Sequence, residues 1–312
     1  MKNSIQLKVL LGLISLLLSI HSYSATLFVT TNQLTGAGSL GDIINTATNG
    51  DIIRFDNSLN GIVINASSYS ITKDLTIIGN GNGVTLIKSS GNYLFEVSSS
   101  HLSISELSAV DGGAYLFSSG GSHININKVN CERLKALSPI INCTTEFHGS
   151  DTLTMDSCLI VDCKAYGQTQ GNEGSMIQLY NGDTLNSSIF CKITNCDFLR
   201  DTAVLSCFLY INGGYSWTGG VSVDVKNTTI KKSSGGRGTI LYSTSNSNGY
   251  INFFNCVCFE NELATAFDSD SFITCLEGGK LSFFECDFLN NFTPYQILMI
   301  EHSVNDCNIE NM

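Results

Sequence analysis

Proline is nearly absent, with only Pro139 and Pro294 in 312 residues. A backbone whose N–H groups are mostly engaged in ladders has little room for a residue that lacks one. The scarcity also excludes a Pro-rich linker, and one continuous domain is the simplest reading. Charge is scarce too: 14% of residues are charged, Lys+Arg 16 stand against Asp+Glu 27, and the formal net charge is −11. Arg occurs only at Arg54, Arg133, Arg200 and Arg237. Nucleic acids and heparin-like polyanions need clustered cations, so both are excluded as partners. Helical periodicity of 3.6 residues is missing except over one short stretch, which excludes a helical solenoid. Tryptophan occurs once, as Trp217.

What is present is a repeat. Leu281–Phe288, LSFFECDF, follows the pattern of Ile251–Cys258, INFFNCVC. Two apolar residues alternate, two turn-forming residues follow, then come a Cys, one residue, and a further apolar residue or Cys. Earlier copies are Leu102/Ile104 with Leu107/Ala109, Ile124/Ile126 with Val129/Cys131, Leu153/Met155 with Cys158/Ile160, Cys191/Ile193 with Cys196/Phe198, and Val223/Val225 with Thr228/Ile230. Alternation is the strand period. A step of three between the second and third inward positions breaks it, so two residues must turn the chain between two short strands. Asn195, Asn227 and Asn255 suit such a corner because Asn tolerates the left-handed backbone conformation. Further strands are expected at Tyr115–Phe117, Ile177–Tyr180, Phe208–Ile211, Thr239–Tyr242, Ile273–Leu276 and Ile297–Ile300. One unit buries too little apolar surface to fold alone, and stacking supplies the core. The expected fold is all-β: a right-handed parallel β-helix with three strands per coil, about ten coils and a short N-terminal capping helix.

Residues 1–24 have the form of a secretory signal: Lys2 and Lys8, the apolar run Val9–Ile20, and the small-x-small Ser22-Tyr23-Ser24. The chain is therefore expected to be secreted or cell-surface, with no transmembrane span once the signal is removed. Residues 25–312 then form a single domain, with the cap and first coils in 25–100 and repeated coils in 101–312. Ser39–Thr48 has apolar residues at helical spacing with Ser39 as N-cap. Strands follow at Asp51–Phe55, Ile62–Ile64, Leu75–Ile78 and Val84–Ile87.

The stretch GSLGDIINTATNGDIIRFDNSLNGIVINASSYSITKDLTIIGNG resembles the opening of secreted bacterial β-helix proteins of the pectin-lyase-like fold, the polymorphic outer membrane proteins and autotransporter-like adhesins. In that group a short helix caps the stack and a phrase like Thr72–Gly81, TKDLTIIGNG, begins the repeats. Gly112-Gly113-Ala114-Tyr115 and Phe288-Leu289-Asn290-Asn291 fit the repeat motifs of the polymorphic proteins; Phe198 to Asp201 and Phe259 to Glu262 depart from them. The resemblance implies a surface-exposed adhesin.

Twelve Cys in a secreted chain usually mean disulfides. The repeat argues otherwise. Cys158, Cys196, Cys256 and Cys286 occupy one inward column, and by spacing Cys307 joins them. Stacked strands set equivalent residues about 4.8 Å apart with parallel Cβ vectors, whereas a disulfide needs its Cβ atoms to converge. Buried thiols are expected instead. Zinc at Cys256 and Cys258 is the weaker alternative, because no His lies in the unit.

Catalytic clusters are not evident. A calcium-dependent lyase needs grouped Asp and a base, and Asp268-Ser269-Asp270 reads better as a solvated turn. A glycosidase needs two carboxylates about 5–9.5 Å apart. Asp197 and Asp287 share an outward column but stand three coils, about 14 Å, apart. His101, His123, His148 and His302 are scattered along the chain. The sequence therefore points to no catalytic residues, no cofactor and no metal, and to a binding scaffold for a glycan or a host cell-surface protein. The alternatives are a divergent polysaccharide lyase or glycoside hydrolase, and a structural passenger. The expected contact site is Tyr166, Tyr215 and Trp217, in a groove over the third strand between loops 164–175 and 213–220. At the other end, residues Val304–Ile309 start the unit again, so the chain is expected to stop within a coil. The expectation there is either a longer parent protein carrying an outer-membrane anchor or self-association through the C-terminal coil.

Overall fold

The structure is a computed structural model. It describes residues 24–312 except 82, 89–92, 146–148, 170–171, 183–186, 214–219, 245–248, 264–270, 276–279, 294–295, 301–305 and 311–312. The signal-like segment thus lies outside the described residues.

The chain winds into a parallel β-helix. A typical coil begins with a first-sheet strand such as Ser188–Thr194, turns at Asn195, and continues as a second-sheet strand, Asp197–Leu199. It turns again at Arg200, passes the short strand Thr202–Ala203, and returns along the third sheet in Ser206–Asn212. Each strand pairs in parallel with its counterparts one coil up and one coil down; for example, Cys191 stands opposite Leu153 on one side and Val223 on the other. The third sheet has nine strands, from Tyr69–Ile71 to Gln296–Ile300, and the short strands form a five-stranded strip.

Both corners use the left-handed region. At the first, φ is positive at Glu106, Lys128, Ser157, Asn195, Asn227, Asn255 and Glu285; at the second, at Asp111, Arg133, Asp162, Arg200, Lys232, Glu260 and Asn290. The bent-back N–H at each corner finds an acceptor in the next coil, as in Asn195 N to Lys226 O (3.0 Å) and Arg200 N to Lys231 O (2.8 Å). Side chains add a ladder of their own. Asn255 Nδ2 donates to Asn227 Oδ1 at 2.9 Å and Asn227 Nδ2 to Asn195 Oδ1 at 3.2 Å. At the second corner the signs alternate over four coils, Asp111, Arg133, Asp162 and Arg200, so Arg133 forks onto Asp111 at 2.7 and 2.9 Å and Arg200 onto Asp162 at 2.8 Å. These pairs are exposed, so they mark register more than they stabilise.

The capping helix spans Leu40–Thr46, with Ser39 Oγ accepting from Asp42 N as expected. Leu40 and Ile44 are buried over the first coil. Gly41 lets the helix approach, since a Cβ there would lie 3.2 Å from the Tyr69 ring. In TKDLTIIGNG, Gly79 has a similar reason: a Cβ would collide with the Glu106 carbonyl oxygen of the next coil.

The register stacks residues 107, 129, 158, 196, 228, 256 and 286 in one column. It corrects two assignments. Cys307 stands opposite Leu281, not Cys286, so it belongs to the first inward column of the first sheet. Spacing alone misplaced it because both columns accept Cys, as Cys191 shows. Cys258 stands opposite Phe288, so the four-residue match to Phe288–Asn291 starts at Cys258 and ends at Asn261. That one-residue shift exposes a buried polar ladder. Cys163 N donates to Asp201 Oδ1 (2.8 Å), Asp201 N to Ser233 Oγ (3.1 Å), Ser233 N to Asn261 Oδ1 (2.9 Å) and Asn261 N to Asn291 Oδ1 (3.0 Å).

Every cysteine but Cys307, whose side chain lies outside the described ones, is free and buried. Burial pushes the Cys143 thiol up to about 12 and raises Cys191 and Cys207 well above the ordinary thiol range, whereas hydrogen bonds from Cys196 and Cys256 lower Cys158 and Cys286, the latter to about 7. Thiol protons go to backbone carbonyls: Cys158 Sγ lies 3.3 Å from Asp156 O, and Cys286 Sγ lies 3.4 Å from Phe284 O.

Candidate functional site

The expected groove over the third strand is bordered by loop 213–220, most of which lies outside the described residues. On five successive coils the outward side chains of that sheet, Asn142, Gln178, Tyr210, Tyr242 and Thr274, are buried. Tyr210 and Tyr242 stack on each other at 5.7 Å rather than facing solvent. Tyr166 is exposed at the edge of a small hairpin, Gln168–Thr169 against Asn172–Glu173. Tyr215 and Trp217 lie outside the described residues.

The open surface is the outer face of the first sheet. Alternation turns every second residue of each strand outward, and the parallel register stacks these residues into columns. One column reads Asp74, His101, His123, Thr152 on four successive coils. Two histidines that look scattered, 22 residues apart, are therefore neighbours. Their rings stack with centroids 4.4 Å apart and planes within 10°. His148 and His302 lie outside the described residues.

Each end of the pair is tied down. His101 donates its backbone N–H to Asp74 Oδ1 at 2.8 Å, and its Nδ1 lies 2.9 Å from the same oxygen. A carboxylate only accepts, so Nδ1 carries the proton and Nε2 of the neutral ring is left as an acceptor. Asp74 is itself fixed by Asn49, whose Oδ1 accepts from Asp74 N at 2.7 Å. The hydrogen bonds from His101, backbone first, hold the Asp74 carboxyl below its ordinary range. On the far side, His123 Nδ1 lies 2.8 Å from Thr152 Oγ1.

Beside this column runs a second, Thr76, Ser103, Asn125, Thr154, which is short and uncharged. Together they line an open groove of about 320 Å³. That volume is at the lower end of the range for small-molecule sites. Its chemistry is that of hydroxyls, an amide, two imidazoles and one carboxylate. Among the described residues Asp74 is the only carboxylate lining it, whereas glycosidic hydrolysis uses a pair. Among the described residues no three His, Cys, Asp or Glu stand close enough together to hold a metal ion. No helix among them is long and apolar enough to cross a membrane.

The signal that could have found this site was present: His101 and His123 each precede the first inward residue of their units, Leu102 and Ile124.

No protein-family model and no curated protein matches the sequence. Solved structures that resemble it are carbohydrate-active β-helix proteins. A PL6 family alginate lyase, AlyGC, aligns over 92% of this chain at 12% identity and TM-score 0.48. The catalytic domain of a GH87 α-1,3-glucanase aligns over 89% at 10% identity and TM-score 0.29, covering 69% of that domain. The A-module of Azotobacter vinelandii mannuronan C-5 epimerase AlgE6 aligns over 85% of this chain and 92% of the module, at 10% identity and TM-score 0.20. The chain spans only 40% of the lyase's length.

Proposed function

We propose that this protein is a carbohydrate-binding β-helix that holds a glycan against the outer face of its first sheet. The observation behind this reading is the groove itself, where two anchored imidazoles stand among neutral hydroxyl and amide side chains on a rigid ladder. Such groups exchange hydrogen bonds with sugar hydroxyls at little ordering cost, because the stack fixes them beforehand. Display outside the cell, as an adhesin or a matrix-binding protein, fits the signal-like N-terminus.

His123→Ala should leave the fold intact, since its side chain points outward, and should weaken retention in polysaccharide affinity gels by about tenfold, the loss of roughly 1.4 kcal/mol. A variant that migrates like the parent through every polysaccharide bound by the parent would remove the groove from consideration.

A second reading is favoured by one observation: His101 is clamped through Nδ1 by Asp74, which leaves Nε2 free to take a proton from a bound ligand. On this reading the protein is a polysaccharide lyase or hydrolase. Incubation with uronate and neutral polysaccharides should then release unsaturated or reducing ends, and His101→Ala should abolish the release. No product across the panel would dismiss catalysis and leave binding.

A further inference from the structure

The groove continues as a column of its own. Beyond His123 and Thr152 the same outward positions are Phe190, Ser222 and Tyr250, one per coil. Phe190 is 48% exposed and Tyr250 37% exposed, both large for ring side chains in a sheet. Phe190 stands between two small hydroxyl residues, and among the described residues no aromatic ring packs on it. Each coil advances about 4.8 Å, so His123, Phe190 and Tyr250 recur at intervals of two coils, about 9.6 Å.

That interval selects a ligand. A β-1,4-linked chain of pyranoses in its extended two-fold form presents the same ring face at every second sugar, at nearly this repeat. Apolar ring faces of sugars pack on aromatic side chains, while their equatorial hydroxyls need partners to the side. The column provides both, since Thr152 and Ser222 alternate with the rings. The neighbouring outward column adds Lys192 and Asp224 on adjacent coils, one charge of each sign. Asp224 is held by Asn252 Nδ2 at 3.0 Å. A strip with no net charge in a chain of net charge −11 suits a neutral glycan better than a polyuronate.

Resting on the carbohydrate-binding reading above, we infer that the ligand is a neutral, extended β-1,4-linked polysaccharide lying along the helix axis, with every second sugar on the His123–Phe190–Tyr250 column.

The test uses the purified chain, calorimetry, and β-1,4-gluco-oligosaccharides of three and six units. The hexasaccharide should bind more tightly than the trisaccharide, with an affinity that hardly changes with salt. Phe190→Ala should weaken hexasaccharide binding about tenfold, and Phe190→Trp should restore it. Tyr250→Ala should weaken the hexasaccharide and spare the trisaccharide. Unchanged unfolding temperatures, expected for such exposed residues, separate lost contacts from lost fold. Salt-sensitive preference for polymannuronate, or full binding by Phe190→Ala, overturns the inference. If His123→Ala loses polysaccharide while Phe190→Ala keeps it, this inference falls and the groove stands. If no glycan binds the parent chain, both fall.

Discussion

Asp201→Asn should stabilise the protein, and by more at higher pH. Asp201 is fully buried, and its Oδ2 has no hydrogen-bond partner. Burial drives its carboxyl far above the usual range, against the pull of the Cys163 N–H. Its column shows what the position requires. Asn261 Nδ2 donates to Ile230 O at 2.8 Å, and Asn291 Nδ2 donates to Cys258 O at 2.8 Å. By register the equivalent carbonyl one coil before Asp201 is that of Ile160. A carboxylate oxygen set against a carbonyl is repelled; a protonated carboxyl or an amide can donate. The sign follows from linkage. The folded-state pKa is raised, so the unfolded chain loses this proton first, near its ordinary pKa of about 3.9. The fold is fully favoured below that value and loses about 1.4 kcal/mol per pH unit as pH climbs toward the folded pKa. The Asn variant should therefore match the parent near pH 4 and exceed it by a margin that grows with pH, up to about 4 kcal/mol near pH 7 in urea unfolding. Asp151, pushed up to about 6 by burial, is present in both proteins and cancels. A stability difference that stays flat between pH 4 and pH 8 would contradict the assignment.

The thiol column carries the second large effect. Cys286→Asp should cost about 3 kcal/mol or more, because it buries a charge in the apolar core beside the Phe284 carbonyl. Cys286→Val should cost less than about 1.5 kcal/mol, because Val129, Leu107 and Thr228 already fill the same column. Without reductant, the denatured chain should titrate close to the twelve thiols of its sequence. Half that count, or a Val variant as damaged as the Asp variant, would mean that the column is cross-linked.

The fold was largely legible because its two periods are both local. Alternation marks the strands, and the step of three marks the first corner, so Leu281, Phe283 and Cys286 can be aligned on Ile251, Phe253 and Cys256 by eye. The capping helix was legible from Ser39 and the spacing of Leu40, Ile43 and Ile44. The second corner was not, because its left-handed residues are mostly charged: Asp111, Arg133, Asp162 and Arg200 carry none of the Asn or Gly signal that marked Asn195 and Asn227. The site was hidden for a different reason. Its residues are chemically ordinary, and their grouping exists only across coils, so His101 and His123 look unrelated until each is counted from its own inward leucine or isoleucine.

The corner hydrogen bonds also bear on how the chain is made. Asn195 N–H waits for the carbonyl of Lys226, and Asn227 N–H waits for Phe254. Each corner is thus completed by a coil that leaves the ribosome after it, while Asp197 N reaches back to Cys158 O in the coil already formed. Every new turn is templated by its predecessor and in turn seals that predecessor's open groups. Strand pairing joins each coil only to the adjoining ones in the described residues, so folding can advance like a zipper in the direction of synthesis, with a single growing edge to guard against strand-to-strand aggregation.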